Sequence, residues 1–186
     1  MSMLEGKLFT VSLRHALLGL LVNRSASGYD LLKLFNTSLA NVWPATQSQI
    51  YTELNKLADA DLITVAAEGP RGRKQYALTD DGLAELRHWL TATEPQHNRR
   101  SEVLLRVFFL GAISRAQARD YLATLETVFT DEERALRELE QSVEWNDGDL
   151  SVYGRIALEY GLRLSTMQRE WAEWAAGQIG GEASPR

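Results

Sequence analysis

Leu13, Ala16, Leu17, Leu20 and Leu21 recur at spacings of three and four and predict a first helix from about Ser12 to Val22. The polar stretch "NRSASG" ends it. Ser27 then stands three residues before Asp30 in a capping-box pattern, opening a second helix that buries Leu31, Leu32 and Phe35. Tyr29 and Trp43 are expected in the same core. "NTSLANVWP" closes this helix, because the residue before Pro44 is biased away from helical backbone. The next segment, "TQSQIYTELNKL" (46–57), is the unusual one. With Ile50 at zero on a helical wheel, Leu54 and Leu57 fall within about 40° of it, a narrow apolar stripe. Ser48, Thr52 and Asn55 lie on the far side, Gln49 and Lys56 flank them, and Tyr51 sits at the edge. A face that only had to be solvated would more often carry Glu–Lys pairs.

After Leu62 the period changes from helical to alternating. Ile63 and Val65 are read as inward-facing, then Tyr76 and Leu78, with "GPRGR" between them. That is a β-hairpin with a basic tip. Thr79 caps a fourth helix, with Asp80 and Asp81 suited to its positive N-terminus and Leu83, Leu86, Trp89 and Leu90 as its apolar residues. "TATEPQHN" (91–98) reads as a boundary. Beyond it the pattern is helical throughout. Val103, Leu104, Val107 and Phe108 form one segment. Ser114 and Gln117 make a capping box for a long helix carrying Ala118, Leu122, Leu125, Phe129, Leu136, Leu139 and Val143. "WNDGD" turns the chain. The last helix then sets Tyr153, Ala157, Tyr160, Leu164, Met167, Trp171 and Trp174 at alternating spacings of four and three, a heptad seam built to face another helix.

Composition narrows the class. The 186 residues are 45% hydrophobic and 24% charged, as in a globular protein, and contain no cysteine, which removes disulfides and thiolate chemistry. Arg14 and His15 interrupt the N-terminal apolar run, and no cleavage site follows, so neither a signal peptide nor a membrane span is expected and the chain is read as cytoplasmic. The net charge of −5 argues against nucleic acid until it is mapped. Residues 1–92 hold nine Lys/Arg against nine Asp/Glu, leaving zero, and residues 93–186 hold eleven against sixteen, leaving −5. Arg71, Arg73 and Lys74 cluster at the hairpin without an acid.

Three helices, a basic-tipped hairpin and a fourth helix within about 80 residues follow the order of a winged helix-turn-helix. In that arrangement Ser48, Gln49, Thr52 and Asn55 are candidates for base edges in the major groove. Tyr51, Lys56, Arg71, Arg73 and Lys74 are candidates for the phosphates. The alternative is a merely solvated face with a merely soluble loop.

"RHALLGLL" (14–21), "SGYDLLKLF" (27–35), "QIYTELNKL" (49–57), "RKQYALTDDGLAEL" (73–86) and "WL" (89–90) resemble, in order, the PadR-type regulators, named for the repressor of phenolic acid decarboxylase. Asp61 departs from the pattern: such proteins usually carry glycine where the recognition helix exits toward the wing. The resemblance implies a homodimeric repressor on a palindromic operator, dimerised through its C-terminal helices and often the first helix of the other subunit. Some relatives answer phenolic or flat drug-like aromatics; others have no known small effector.

The expected architecture is mostly α with a small β-hairpin wing. It comprises a winged helix-turn-helix over 1–92, a helical dimerisation domain over 98–176 and a disordered tail over 177–186. Trp89, Trp171 and Trp174 are candidates for stacking a planar effector, although packing at the seam is the better account of Trp171 and Trp174. Arg14 and Arg106 are candidates for an effector's carboxylate, with surface ion pairs as the alternative. His15, His88 and His97 share no metal-binding spacing, Asp80 and Asp81 diverge by about 100° on a helix, and no phosphate loop or nucleophile elbow is present. No enzyme and no cofactor is expected. The partners are double-stranded DNA, a second copy and a small aromatic effector. Two rivals remain: a winged-helix protein-interaction module working through its acidic half, and a small-molecule sensor with an indirect DNA role.

Overall fold

A computed structural model of the protein describes residues 13–39, 42–69, 73–95 and 101–179, with residues 66–69 and 73 described through their backbone. The chain packs as two units, Met1–Gln96 and His97–Arg186.

In the first unit α1 occupies 13–20. It ends two residues before the expected Val22, because Leu21 N and Val22 N bond to Leu18 O and Gly19 O and tighten the end into a turn, and its expected start at Ser12 lies outside the described residues. A two-residue strand β1 (Ala26–Ser27) leads into α2 (Gly28–Ser38), whose capping box is formed by Ser27 and Asp30. Then follow α3 (Gln47–Asp59), the hairpin strands β2 (Ile63–Gly69) and β3 (Arg73–Leu78), and α4 (Asp80–Ala92), capped by Thr79. The sheet is antiparallel in the order β1-β3-β2, with Ala26 opposite Tyr76 and Ile63 opposite Leu78. Leu17, Leu18, Leu31, Phe35, Ile50, Leu54 and Leu57 form the fully buried centre.

Three expectations need correction. Tyr29 is not core: it is 64% exposed, because it lies about 160° around α2 from Leu31. Val65 is 39% exposed, since the register shifts between Val65 and Ala67 as the hairpin leaves the core. Leu90, in the last turn of α4, is exposed as well.

The exit from α3 holds the unit together. Asp61 takes a φ of 56°, the left-handed region, which accounts for the departure from glycine there: Asp tolerates that backbone better than most residues. Asp61 O accepts a 2.8 Å bond from Thr79 Oγ1, and Leu62 O accepts a 3.2 Å bond from Thr79 N. A Cβ on Gly82 would lie 2.0 Å from Leu62 O, so only glycine admits this approach of the α4 backbone to the wing's first strand.

In the second unit α5 (Glu102–Phe108) runs into a short 3-10 turn (Leu110–Ala112), followed by α6 (Arg115–Ser142) and α7 (Asp149–Gln178). Ser114 and Gln117 form the capping box that opens α6. In the "WNDGD" turn, Asn146 Oδ1 accepts from Gly148 N and Trp145 Nε1 donates to Glu140 O. Glu133 bonds Arg169 and Leu136 abuts Gly161, so α6 and α7 are antiparallel. Leu122, Leu125 and Phe129 of α6 meet Ala172 and Ala175 of α7. The last helix continues to Gln178, two residues into the stretch expected as a tail; residues 180–186 lie outside the described ones.

The Asp61–Leu62–Gly82 junction yields two substitutions of opposite sign. Gly82→Ala should lower unfolding stability by at least about 2 kcal/mol, because the methyl overlaps a carbonyl that cannot retreat without breaking the Thr79 bond. Asp61→Gly should raise it by about 0.5–1 kcal/mol by removing the left-handed penalty and a negative charge at the α3 C-terminus. Urea midpoints at fixed protein concentration read both, and a neutral Gly82→Ala would remove the junction from this role.

Candidate nucleic-acid interface

Buried Ile50, Leu54 and Leu57 fix which way α3 faces, and Ser48, Gln49, Thr52, Asn55 and Lys56 are consequently exposed together. The helix starts where Pro44 and the extended Thr46 end the preceding loop. Thr46 Oγ1 accepts from Gln49 N at 3.3 Å, and Gln49 Oε1 accepts from Thr46 N at 2.8 Å. The carboxamide oxygen of Gln49 is therefore committed to the cap, and Nε2 is the group it can present outward. This role was legible as Thr46-x-x-Gln49 and was missed by reading Gln49 only as a base contact.

Lys56 Nζ lies 3.2 Å from Glu53 Oε2, a carboxylate almost wholly withdrawn from solvent. It thus offsets a negative charge on the helix itself, which tempers the attraction it can offer a phosphate. Tyr51 is half-buried, and its ring lies against Gly28, where a Cβ would come within 2.6 Å of Tyr51 Cε1. On β3, burial, and then the Tyr51 phenol, push the Tyr76 hydroxyl above the ordinary tyrosine value. Tyr51 thereby joins α3 to the start of α2. Tyr29, beside Gly28 and exposed, adds a phenol to this corner that sequence reading had assigned to the core.

On the wing, Lys74 is exposed, Arg73 is the first residue of β3, and Arg71 lies outside the described residues. The candidate effector residues do not converge. Trp89 stacks on buried His15 at 4.6 Å between ring centroids, and His15 Nε2 lies 3.2 Å from Glu85 Oε1. Arg14 carries a buried Nε without a hydrogen-bond partner among the described residues. Arg106 is paired with Glu102 on the surface of α5. Trp171 is half-buried against the α6–α7 core, while Trp174 is 61% exposed. Among the described residues no helix is long and apolar enough to cross a membrane.

The seam residues have a consistent placement. Leu158, Leu162, Ser165 and Ala172 face α6, whereas Tyr153, Ala157, Tyr160, Leu164, Met167 and Trp174 are exposed, with half-buried Trp171 among them. On the wheel they centre about 140° from the face that meets α6. The seam therefore turns away from α6, and α7 has apolar residues on two separate sides.

A family model described as "Transcriptional regulator PadR-like family" matches residues 17–88, and one described as "Virulence activator alpha C-term" matches residues 99–179. The negative transcriptional regulator PadR of Bacillus subtilis is 39% identical over 112 residues, which span 58% of this chain and 62% of that protein. The crystal structure of Bacillus subtilis PadR in complex with operator DNA is matched over 90% of this chain and 99% of that one, with 31% identity and a TM-score of 0.77. The chain belongs to the PadR-like family of transcriptional regulators. The structure of Bacillus subtilis PadR in complex with p-coumaric acid is matched at 29% identity and a TM-score of 0.78, covering 91% and 99% of the two chains. The Vibrio cholerae virulence activator AphA is matched at 25% identity and a TM-score of 0.77, covering 90% and 97%.

For this PadR-like chain the cap separates two effects of one side chain. Gln49→Ala should cost about 0.5–1 kcal/mol of stability through the lost cap, whereas Gln49→Glu, which keeps the acceptor at the third helical position, should stay within about 0.5 kcal/mol of the parent. Urea unfolding distinguishes them; equal stability of all three proteins would mean that the bond to Thr46 contributes nothing.

Proposed function

We propose that this PadR-like regulator is a homodimeric repressor that binds a two-fold symmetric operator and responds to a small aromatic effector. It is a regulator and not an enzyme, working on DNA in the cytoplasm. The observation that carries the reading is the coherent outward face of α3, where Ser48, Gln49, Thr52 and Asn55 are all exposed above a fully buried stripe. Short amide and hydroxyl side chains supply the donors and acceptors that base edges require. On this reading Thr52 and Asn55 address bases together with Ser48 and the Nε2 of Gln49. Tyr51, Lys56, Arg71, Arg73 and Lys74 hold the backbone. The likeness to operator-bound PadR along 90% of the chain supports it.

Dimerisation is assigned to the exposed row of α7. A helix with two separate apolar sides needs a second neighbour, and the seam from Tyr153 to Trp174 has the spacing to meet one. In a two-fold dimer the two copies of α3 would read half-sites about one DNA turn apart. Repression is favoured over activation because Bacillus subtilis PadR, named a negative regulator, is 31% identical over 90% of the chain, against 25% over the same share for the virulence activator. The p-coumaric acid complex of Bacillus subtilis PadR motivates the effector.

Selection of genomic fragments from the source organism by the purified chain, followed by sequencing, tests this directly. A two-fold symmetric motif is the expected result; no enrichment at low salt without ligand would remove operator binding and leave the protein-interaction reading. The wing has its own test. Arg71→Ala combined with Arg73→Ala should weaken binding to every sequence and flatten the dependence of log K on log salt by up to about two units. An unchanged slope would take both arginines off the phosphates.

A further inference from the structure

Glu53 is the acid that α3 buries: it is 3% exposed, although the opposite side of the same helix is presented outward. With Ile50 at zero on the wheel, Glu53 falls near 300°, between the apolar stripe and Lys56 near 240°. Its carboxylate meets Lys56 Nζ at 3.2 Å, and Lys56 is exposed on the same side of the wheel as Gln49. Lys56 is also the single cation between Gln47 and Asp59. The one positive charge of the reading helix is therefore held by an acid of that helix.

Stability does not account for the pair. Withdrawing a carboxylate from water is costly, and a neutral side chain of similar volume often serves a fold as well or better. The consequence lies on the outward face instead. Ser48, Gln49, Thr52 and Asn55 are neutral, and with Lys56 offset the face carries no surplus positive charge. General attraction for phosphate is then left to the basic wing, while the helix discriminates through directed donors and acceptors.

We infer that Glu53 is a specificity-determining residue that acts through Lys56: it holds the ammonium in one direction and offsets its charge. Lys56 then favours the one duplex on which it is correctly placed over DNA at large. The inference rests on the operator reading above, and it assigns a role to a residue too withdrawn to touch the duplex itself.

Full-length parent, Glu53→Gln and Glu53→Met would be titrated by fluorescence anisotropy across a salt series. The two duplexes are the symmetric fragment recovered by genomic selection and a scrambled duplex of equal length. Glutamine keeps the shape of the side chain and methionine suits its buried surroundings, so one serves if the other fails to fold; urea midpoints and sedimentation check both. Each variant should bind the scrambled duplex about three- to tenfold more tightly near 0.1 M salt. Each should also steepen the dependence of log K on log salt by up to about one unit. Affinity for the selected fragment should change by no more than about twofold, so the ratio between the duplexes falls. In a Lys56→Gln background the same replacements should leave that ratio nearly unchanged, because the partner is gone.

Equal gains on both duplexes would make Glu53 a general damper of charge and overturn its role in specificity. An unchanged slope and unchanged scrambled affinity in folded variants would remove the pair from DNA binding altogether. A fall in the ratio that persists undiminished without Lys56 would overturn the route through that residue. Each of these results leaves operator binding standing. A parent that does not distinguish the two duplexes would instead remove the operator reading, and this inference with it.

Discussion

The bond pair from Thr79 to the carbonyls of Asp61 and Leu62, made possible by the bare Cα of Gly82, ties three elements at one point. The recognition helix ends there, the wing's first strand begins there, and α4 starts there. Because Thr79 also caps α4, the same residue satisfies the helix's first amides and anchors the turn out of α3. The strands springing from this point carry β1 at their edge, and β1 leads without a break into the cap of α2. The start of α2 is therefore positioned by the sheet, and Tyr51 closes the loop by packing on Gly28. The outward face of α3 and the base of the wing consequently hold a defined spacing. On the proposed reading, two surfaces meeting one DNA duplex together would depend on that constraint.

Sequence pattern revealed the parts of this arrangement that depend on periodicity. Stripes such as Ile50–Leu54–Leu57 and caps such as Ser27–Asp30 and Ser114–Gln117 are local, so they can be read locally. β1 was missed because two residues have no period. The placement of Tyr29 was recoverable: about 160° from Leu31, it lies opposite the buried side, and its aromatic character outweighed its position on the wheel. Val65 followed the expected alternation until the register shifted beside it, an event set by the partner strand rather than by its own residues. A crevice beside Trp174 joins residues more than 60 positions apart, and no window on the sequence brings them together. The double role of Gln49 illustrates a different failure. A capping signature and a base-reading signature use the same side chain, and geometry alone assigns its oxygen to the first.

The long antiparallel pair of α6 and α7 poses an energetic problem that one chain leaves open. With about 1.5 Å of rise per residue, the 30 residues of α7 extend roughly 45 Å, and α6 covers a single side of it. Tyr160, Leu164, Met167 and Trp174 remain exposed on the other side. Full burial of such side chains contributes about 1.5–3 kcal/mol each, and association costs on the order of 4–15 kcal/mol in lost freedom. On the dimeric reading proposed above, burial of these four side chains on each of two chains would offset a cost of that order.

That margin determines how a small ligand could act. A ligand shifts an equilibrium only by the difference between its affinities for the two states. A ligand held deep in either core would need to reorganise packed leucines to be felt at α3. A ligand bound at the surface assigned above to dimerisation would express that difference where two copies meet. A coupling of about 1–3 kcal/mol is typical of such linkage. Two copies of α3 related by a two-fold axis amplify it. Within the winged unit the bonds from Thr79 tie the end of α3, the start of the wing and α4 at one point, so on the dimeric reading proposed above each α3 face would move together with its own wing.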